Sequence, residues 1–212
     1  MQAFVAILLA LPTTLLVTAA AFAIGAVVGV PLMLGLRSRH RAVRLAVRFM
    51  VDLIRGIPPI VWLFVLFFGV SIGAFRFNAL AAAIVGLGLI SAAYLAEIYR
   101  GGFATLPSGQ VEAARALGLG RRATFVRILA PQAVRTSLPS ITTFLLALVK
   151  DSSIASTIGV TDMVFAANTF VRQNPMTAGL TPFFIAAGFY VAISIPLAIL
   201  ARRLDTRLRR SA

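Results

Sequence analysis

A chain of 212 residues that is 60% apolar and only 12% charged, with a mean hydropathy of +0.97, carries too little polar surface for a water-soluble domain and reads as a polytopic membrane protein. The formal charge of +14 does not point to nucleic acid, because the arginines sit at the ends of apolar runs instead of on an interleaved polar face. With no cysteine, disulfides and cysteine-ligated metals are excluded, and the redox compartment is unreadable.

A bilayer-crossing helix needs about 20 mostly apolar residues. Five segments qualify, at roughly 13–36, 57–75, 79–99, 137–158 and 180–201, so the expected fold class is all-α integral membrane with five transmembrane helices. The first run begins close to Met1, yet nothing basic precedes Arg37 and the run is too long for a signal-peptide core, so it is expected to remain as a span. The connection after it holds His40 among arginines, which reads as a solvated surface residue because a metal site needs several ligands. Asp52 and Arg55, three apart, are expected to brace the entrance of the second span. Pro58 and Pro59 interrupt that entrance; prolines are tolerated in a first helical turn, so a span is expected, with a re-entrant or interfacial path as the alternative.

In the third span, Gly86 and Gly88 with the alanines at 81–83 predict close helix packing. Near its inner end Tyr94 and Glu97 form one candidate substrate group; the structural alternative is an ordinary ion pair between Glu97 and Arg100.

Between spans three and four lies a charged island, with Glu112, Ala113, Ala114, Arg115, Leu117 and Gly118 in a short helix-forming stretch. Ser108 can cap a helix opening near Gly109, Glu112 lies early enough to favour the positive end of the dipole, and Gly118 suits a left-handed exit. A second amphipathic piece follows, with Phe125, Ile128 and Leu129 on one stripe and Arg121, Arg122 and Arg127 off it, until Pro131 breaks or bends it. Spacing alone leaves partner docking and an interfacial position on lipid headgroups as equal readings.

Span four holds charges that are costly inside a membrane and are functional candidates by default: Lys150 and Asp151. Lys150, Ser153 and Thr157 share a helical face at spacings of three and four, with Ser152 beside them. A zwitterionic amino acid needs a cation for its carboxylate and an acceptor for its ammonium, and this cluster offers both; the alternative is that Lys150 and Asp151 satisfy each other or a neighbouring helix. Adjacent helical residues diverge by about 100 degrees, which favours outside partners for both. The connection 161–179, with Asp162, Phe165, Phe170, Arg172, Asn174 and Pro175, is a place for a delivering protein to dock or for a short helix to seal a pore mouth.

Orientation follows from the arginines. Six lie between spans one and two, six between three and four, and five after span five, whereas the other side receives Arg76 and Arg172. Basic residues stay in the cytoplasm, so the N-terminus is expected outside, the C-terminus inside, and the Glu112 island in the cytoplasm.

Glu112, Ala113, Ala114 and Gly118, followed by Ile128 and Pro131, closely resemble the cytoplasmic loop of membrane permeases of ABC-type importers. Ala130 stands where that family usually has leucine, with Leu129 beside it. The stretches 51–59, 93–102 and 148–156 resemble the polar amino acid uptake branch (histidine, glutamate, glutamine and arginine types). The resemblance implies the type I importer permease (MetI-like) fold over a single permease domain, 1–212, in a bacterial plasma (inner) membrane. It implies that the loop at about 100–136 carries a coupling helix that docks on the ATPase. It also implies the partners: two ATPase subunits binding ATP and Mg, a second permease that is identical or paralogous, and an extracytoplasmic solute-binding protein that delivers an amino-acid substrate. Independently of family, a P-loop is missing: the lone lysine, Lys150, follows Val149 and precedes Asp151. The chain is therefore expected to be no enzyme, with no cofactor of its own and no nucleic-acid partner, and any ATP hydrolysis must enter from another subunit. A stand-alone secondary transporter or channel, or a membrane scaffold that moves no solute, are the rival functions.

Overall fold

The computed structural model describes residues 1–72 and 75–210. Helix α1 (Gln2–Leu36) leads through a short turn to α2 (Arg41–Gly56); α3 (Pro59–Phe64) continues into a π-helical turn (Val65–Gly69) and a two-residue antiparallel pair, β1 (Ser71–Ile72) with β2 (Phe75–Arg76). Then follow α4 (Ala79–Ala104), α5 (Gly109–Ala116), α6 (Arg121–Thr124) with a π turn (Phe125–Leu129), α7 (Ala130–Asp151) ending in a 3-10 turn (Ser152–Ile158), α8 (Met163–Gln173) and α9 (Thr181–Arg210).

The first helix begins at Gln2, not near residue 13, and runs unbroken through Pro12 and Pro31. Prolines survive in apolar helices where neighbours re-satisfy the freed backbone groups. Here Ile7 and Ala10 pack with Met163, Ala167 and Ala186, so tertiary contact holds the early turns in the helix.

The centre of the fold is the contact of α1 with α4, and small residues make it. A Cβ on Gly25 would collide with the Cβ of Ser91, and one on Gly29 would lie 3.2 Å from both the carbonyl oxygen of Ala92 and the amide nitrogen of Ala96. Gly88, expected as a packing residue, receives Ile24, and Gly86 receives Leu63 and Leu66. Along α4, Ala82, Ala83, Leu87, Ala92, Ala93, Leu95 and Ala96 are completely buried.

The second expected span, 57–75, is a broken element. Ile57 and Pro58 are extended, as a residue preceding proline must be, and α3 restarts with Pro59 at its first position. The arms Arg41–Gly56 and Pro59–Gly69 meet at 99°. The register of α1 on α4 decides what this bend is. Gly25 faces Ser91, Gly29 faces Ala92 and Ala96, and Arg37 stacks on Phe103, so the two helices run parallel. Chain that leaves the Leu36 end must return to the Ala79 end. It leaves the end of α1, where Val47 meets Gly35, and returns stepwise along α4: Arg48 meets Glu97, Arg55 meets Tyr94, and Leu63 meets Gly86. The bent pair therefore carries the chain back along α4, and by length and composition it is a candidate fifth span beside the four long apolar helices.

Helix α7 runs antiparallel to α4, with Ser137 against Gly102 and Phe144 against Tyr94. The far end of α9, at Ala201 and Arg202, comes beside Pro139 and Thr143 of α7. Thus α5, the start of α7 and the end of α9 share one end of the molecule, and the start of α1, α8 and the start of α9 share the other.

Candidate functional site

The charged island is built as a capped, projecting turn. Helix α5 ends in paired hydrogen bonds: the Leu119 amide donates to the Ala114 carbonyl at 3.0 Å and the Gly118 amide to the Arg115 carbonyl at 2.9 Å. This double closure requires a left-handed residue, and Gly118 supplies it with φ of +71°. Glu112, Ala113, Arg115 and Gly118 are exposed and Leu117 is 79% exposed, an apolar side chain held out at the tip. Ala114 is turned the other way and buried. One expectation fails: Ser108 occupies the position before the helix but sits in helical backbone and makes no capping hydrogen bond.

The second piece buries the expected stripe. Phe125, Ile128 and Leu129 are half-buried while Arg121, Arg122 and Arg127 are exposed. Pro131 does not break it. The backbone widens into the π turn Phe125–Leu129 immediately before the proline, which relieves the clash of its ring with the preceding turn. Two contacts missed by sequence reading tie the segment to the spans: Phe125 stacks on Phe103 with centroids 5.2 Å apart, and Gln132 Nε2 donates to Gln110 Oε1 at 3.3 Å. The apolar partners lie more than 20 residues apart in sequence, so periodicity carries no signal for them.

Tyr94 and Glu97 line a cavity of about 430 Å³ with Arg55, Thr105, Thr136 and Ser137. Glu97 is clamped: Arg100 Nη2 lies 2.7 Å from Oε2, as the ion-pair alternative anticipated, and Arg48 Nη1 lies 3.0 Å from Oε1. Arg55 does not brace span two through Asp52; its guanidinium lies 4.8 Å from the centroid of the Tyr94 ring. The entrance is braced instead by Trp62, whose Nε1 donates to the Ile54 carbonyl at 3.1 Å across the two prolines. Tyr94 also stacks on Phe144, 5.4 Å away, and opens onto an adjoining cavity of about 550 Å³ that includes Ser140, Thr143 and Ala147.

Lys150 stands one turn beyond Ala147 and is exposed. The expected common face of Lys150, Ser153 and Thr157 does not form, because the chain tightens to a 3-10 turn after Asp151. At about three residues per turn, Ser153 and Ser156 align instead, and Thr157 rotates away. The hydroxyls are also spent locally: Ser152, Ser153, Ser156 and Thr157 each donate to the carbonyl three residues back, at 2.6 to 2.8 Å. Ser152 is buried. The structure thus separates the candidates into a Tyr94 and Glu97 group and a Lys150 and Asp151 group, with Ala147 between them.

At the opposite end, the 161–179 connection contains α8, capped by Asp162, whose Oδ1 accepts from the Phe165 amide at 2.7 Å. Asp162 is almost fully buried, and burial pushes its carboxyl up to about 6 against the pull of backbone amides. The Thr14 hydroxyl accepts from the Met163 amide at 3.2 Å, locking α8 to α1.

Residues 21–210 match the family described as binding-protein-dependent transport system inner membrane component. The chain belongs to this family. Among other permeases it resembles the octopine transport system permease protein OccM of Rhizobium radiobacter, 34% identical over 98% of this chain and 87% of that one. The arginine ABC transporter permease protein ArtQ of Haemophilus influenzae is 35% identical over 76% of this chain and 75% of that one. A solved amino acid ABC transporter crystallised with histidines superposes with a TM-score of 0.87 at 28% identity, covering 95% of this chain and 94% of its counterpart. The fold is that of an ABC importer permease.

Proposed function

We propose that this permease is the translocating subunit of an ATP-driven importer of polar or charged amino acids, working by alternating access in a bacterial inner membrane. Its amino-acid relatives support the substrate class, and the arginine distribution supports a cytoplasmic α5 and C-terminus with Met1 outside. Separate ATPase subunits bind ATP and Mg and drive it, a second permease copy or paralogue completes the pathway, and an extracytoplasmic binding protein delivers solute to the end that carries α8.

The observation that carries the mechanism is the exposed turn of Glu112, Ala113 and Leu117, rigidly closed at Gly118 and stacked onto α4 through Phe125 and Phe103. A push on a stiff short helix is passed on as rigid-body motion of the spans. The cavities beside Tyr94 and Glu97, continuing past Ala147 towards Lys150 and Asp151, form the amino-acid path. Lys150 would take the carboxylate.

The test is Glu112→Lys in the complete transporter reconstituted in vesicles. ATP-driven uptake is expected to vanish while the protein still inserts and assembles. Uptake at the unmodified rate would overturn the proposal.

A further inference from the structure

Between α1, α4 and α7 lies a groove of about 280 Å³ whose walls include Val30, Met33, Phe103, Phe125, Val134 and Ile141. Its interior is apolar because its polar side chains are turned into the backbone. The Tyr99 hydroxyl donates to the Ala26 carbonyl at 3.4 Å, and the Ser137 hydroxyl to the Ile98 carbonyl at 3.4 Å. A polar solute would find no partner there.

At one mouth stands Arg37. Its guanidinium carbon stands over the Phe103 ring, 4.5 Å from the centroid, one turn beyond Met33 and two beyond Val30 on the same face of α1. No carboxylate pairs with it among the described residues, whereas its neighbour Arg100 has its charge taken up by Glu97. Partial burial, and after it the nearby charge of Arg100, push the Arg37 guanidinium below its ordinary value. An anion at this mouth would relieve both.

From this juxtaposition of an uncompensated guanidinium and an apolar groove running inward along the helix axis, we infer that the groove holds an anionic phospholipid of the surrounding leaflet, its phosphate on Arg37 and an acyl chain between α1, α4 and α7. Its lining on α7 runs from Ala130 to Ile141, about three turns, so the groove extends along the helix, which is the direction an acyl chain takes in a bilayer. Charge complementarity selects the headgroup, and the apolar walls select the chain. Phe125 belongs to the segment that leads away from α5, so the lipid also braces the joint between the charged turn and the spans. The lipid assignment stands apart from the transport reading, and its test involves no uptake.

The experiment is native mass spectrometry of the intact permease complex released from mixed phosphatidylglycerol and phosphatidylcholine. Retained phosphatidylglycerol should exceed phosphatidylcholine by about fivefold, the discrimination one basic residue provides near an anionic surface. Arg37→Gln should abolish that preference and Arg41→Gln, on the exposed start of α2, should keep it. Ile141→Trp, which fills the groove, should reduce retention of both lipids. Equal retention of the two lipids by the unmodified protein would overturn the proposal whatever the variants do. So would an unchanged preference in Arg37→Gln, or full displacement of phosphatidylglycerol by equimolar palmitate.

Discussion

Arg48 on α2 reaches Glu97 on α4 with Nη1 3.0 Å from Oε1, and this contact spans 49 residues of sequence to hold the bent element against the central helix. Glu97 is 13% exposed and answers two arginines, whereas Arg48 is 44% exposed and answers one carboxylate. Truncating the exposed partner should therefore cost little, about 0 to 1 kcal/mol for Arg48→Ala. Removing the shared acceptor leaves two cations facing one another, so Glu97→Ala should cost more, about 1–3 kcal/mol. Unfolding in mild detergent ranks the two, and an Arg48→Ala loss equal to that of Glu97→Ala would contradict the shared-acceptor geometry.

Gly118 sits at φ of +71°, and nothing lies within 4 Å of a Cβ added there. Sterics outside the backbone therefore play no part, and the cost of a side chain is conformational. Gly118→Ala should cost about 1–2 kcal/mol locally, and Gly118→Val more, because a β-branched residue tolerates the left-handed region least. Faster amide exchange at Leu119, with the spans unaffected, is the expected readout.

Gly25→Ala should destabilise by about 1–3 kcal/mol, since its Cβ would also lie 2.8 Å from the backbone carbonyl carbon of Ser91 and a backbone cannot give way as a side chain can. Gly188 is the control, because nothing lies within 4 Å of its added Cβ. There, alanine should be neutral or stabilise by up to about 1 kcal/mol through helix propensity. Thermal unfolding of the two single variants distinguishes packing from propensity.

Asp162 provides the pH dependence. Its folded carboxyl is raised from 3.8 to about 6 by burial, so the native state holds its proton more tightly than the unfolded chain does. Stability from this group is complete below about pH 4 and is lost as pH rises through about 6, a difference on the order of 3 kcal/mol. Asp162→Asn keeps an acceptor for the Phe165 amide and removes the titration. The gap between the two proteins should therefore change between pH 4.5 and 7.5, with the wild type losing ground as pH rises. Parallel profiles would show that Asp162 is not the titrating group.

If Lys150 takes the substrate carboxylate, Lys150→Met should reduce uptake at least about tenfold, the scale of one hydrogen bond to a charged group. Basal ATP hydrolysis by the assembled transporter should persist. Uptake assays with and without the change check this, and unchanged uptake would leave Lys150 a structural cation.

Composition, apolar run lengths and the arginine pattern were enough to establish an integral membrane helical fold, because the bilayer forces every backbone polar group into a helix and every stretch of charge to an edge. Gly118 was legible for the same kind of reason: a helix exit is local chemistry, written in one residue. Boundaries set by packing were not legible. The early turns of α1 depend on Met163, Ala167 and Ala186, and Gly25 and Gly29 matter only because Ser91, Ala92 and Ala96 come opposite.

The sequence by itself determined that the chain lives in a bilayer, where its charged turn begins and ends, and which family pattern it carries. Tertiary structure alone decided that the bent element at Pro58 and Pro59 carries the chain back along α4, since that follows from the parallel register of α1 on α4. It also decided that the Ser153 and Thr157 faces part, that Glu97 serves two arginines, and that Arg37 stands at the mouth of an apolar groove. Each of these depends on which distant residues meet, and distance along the chain carries no record of it.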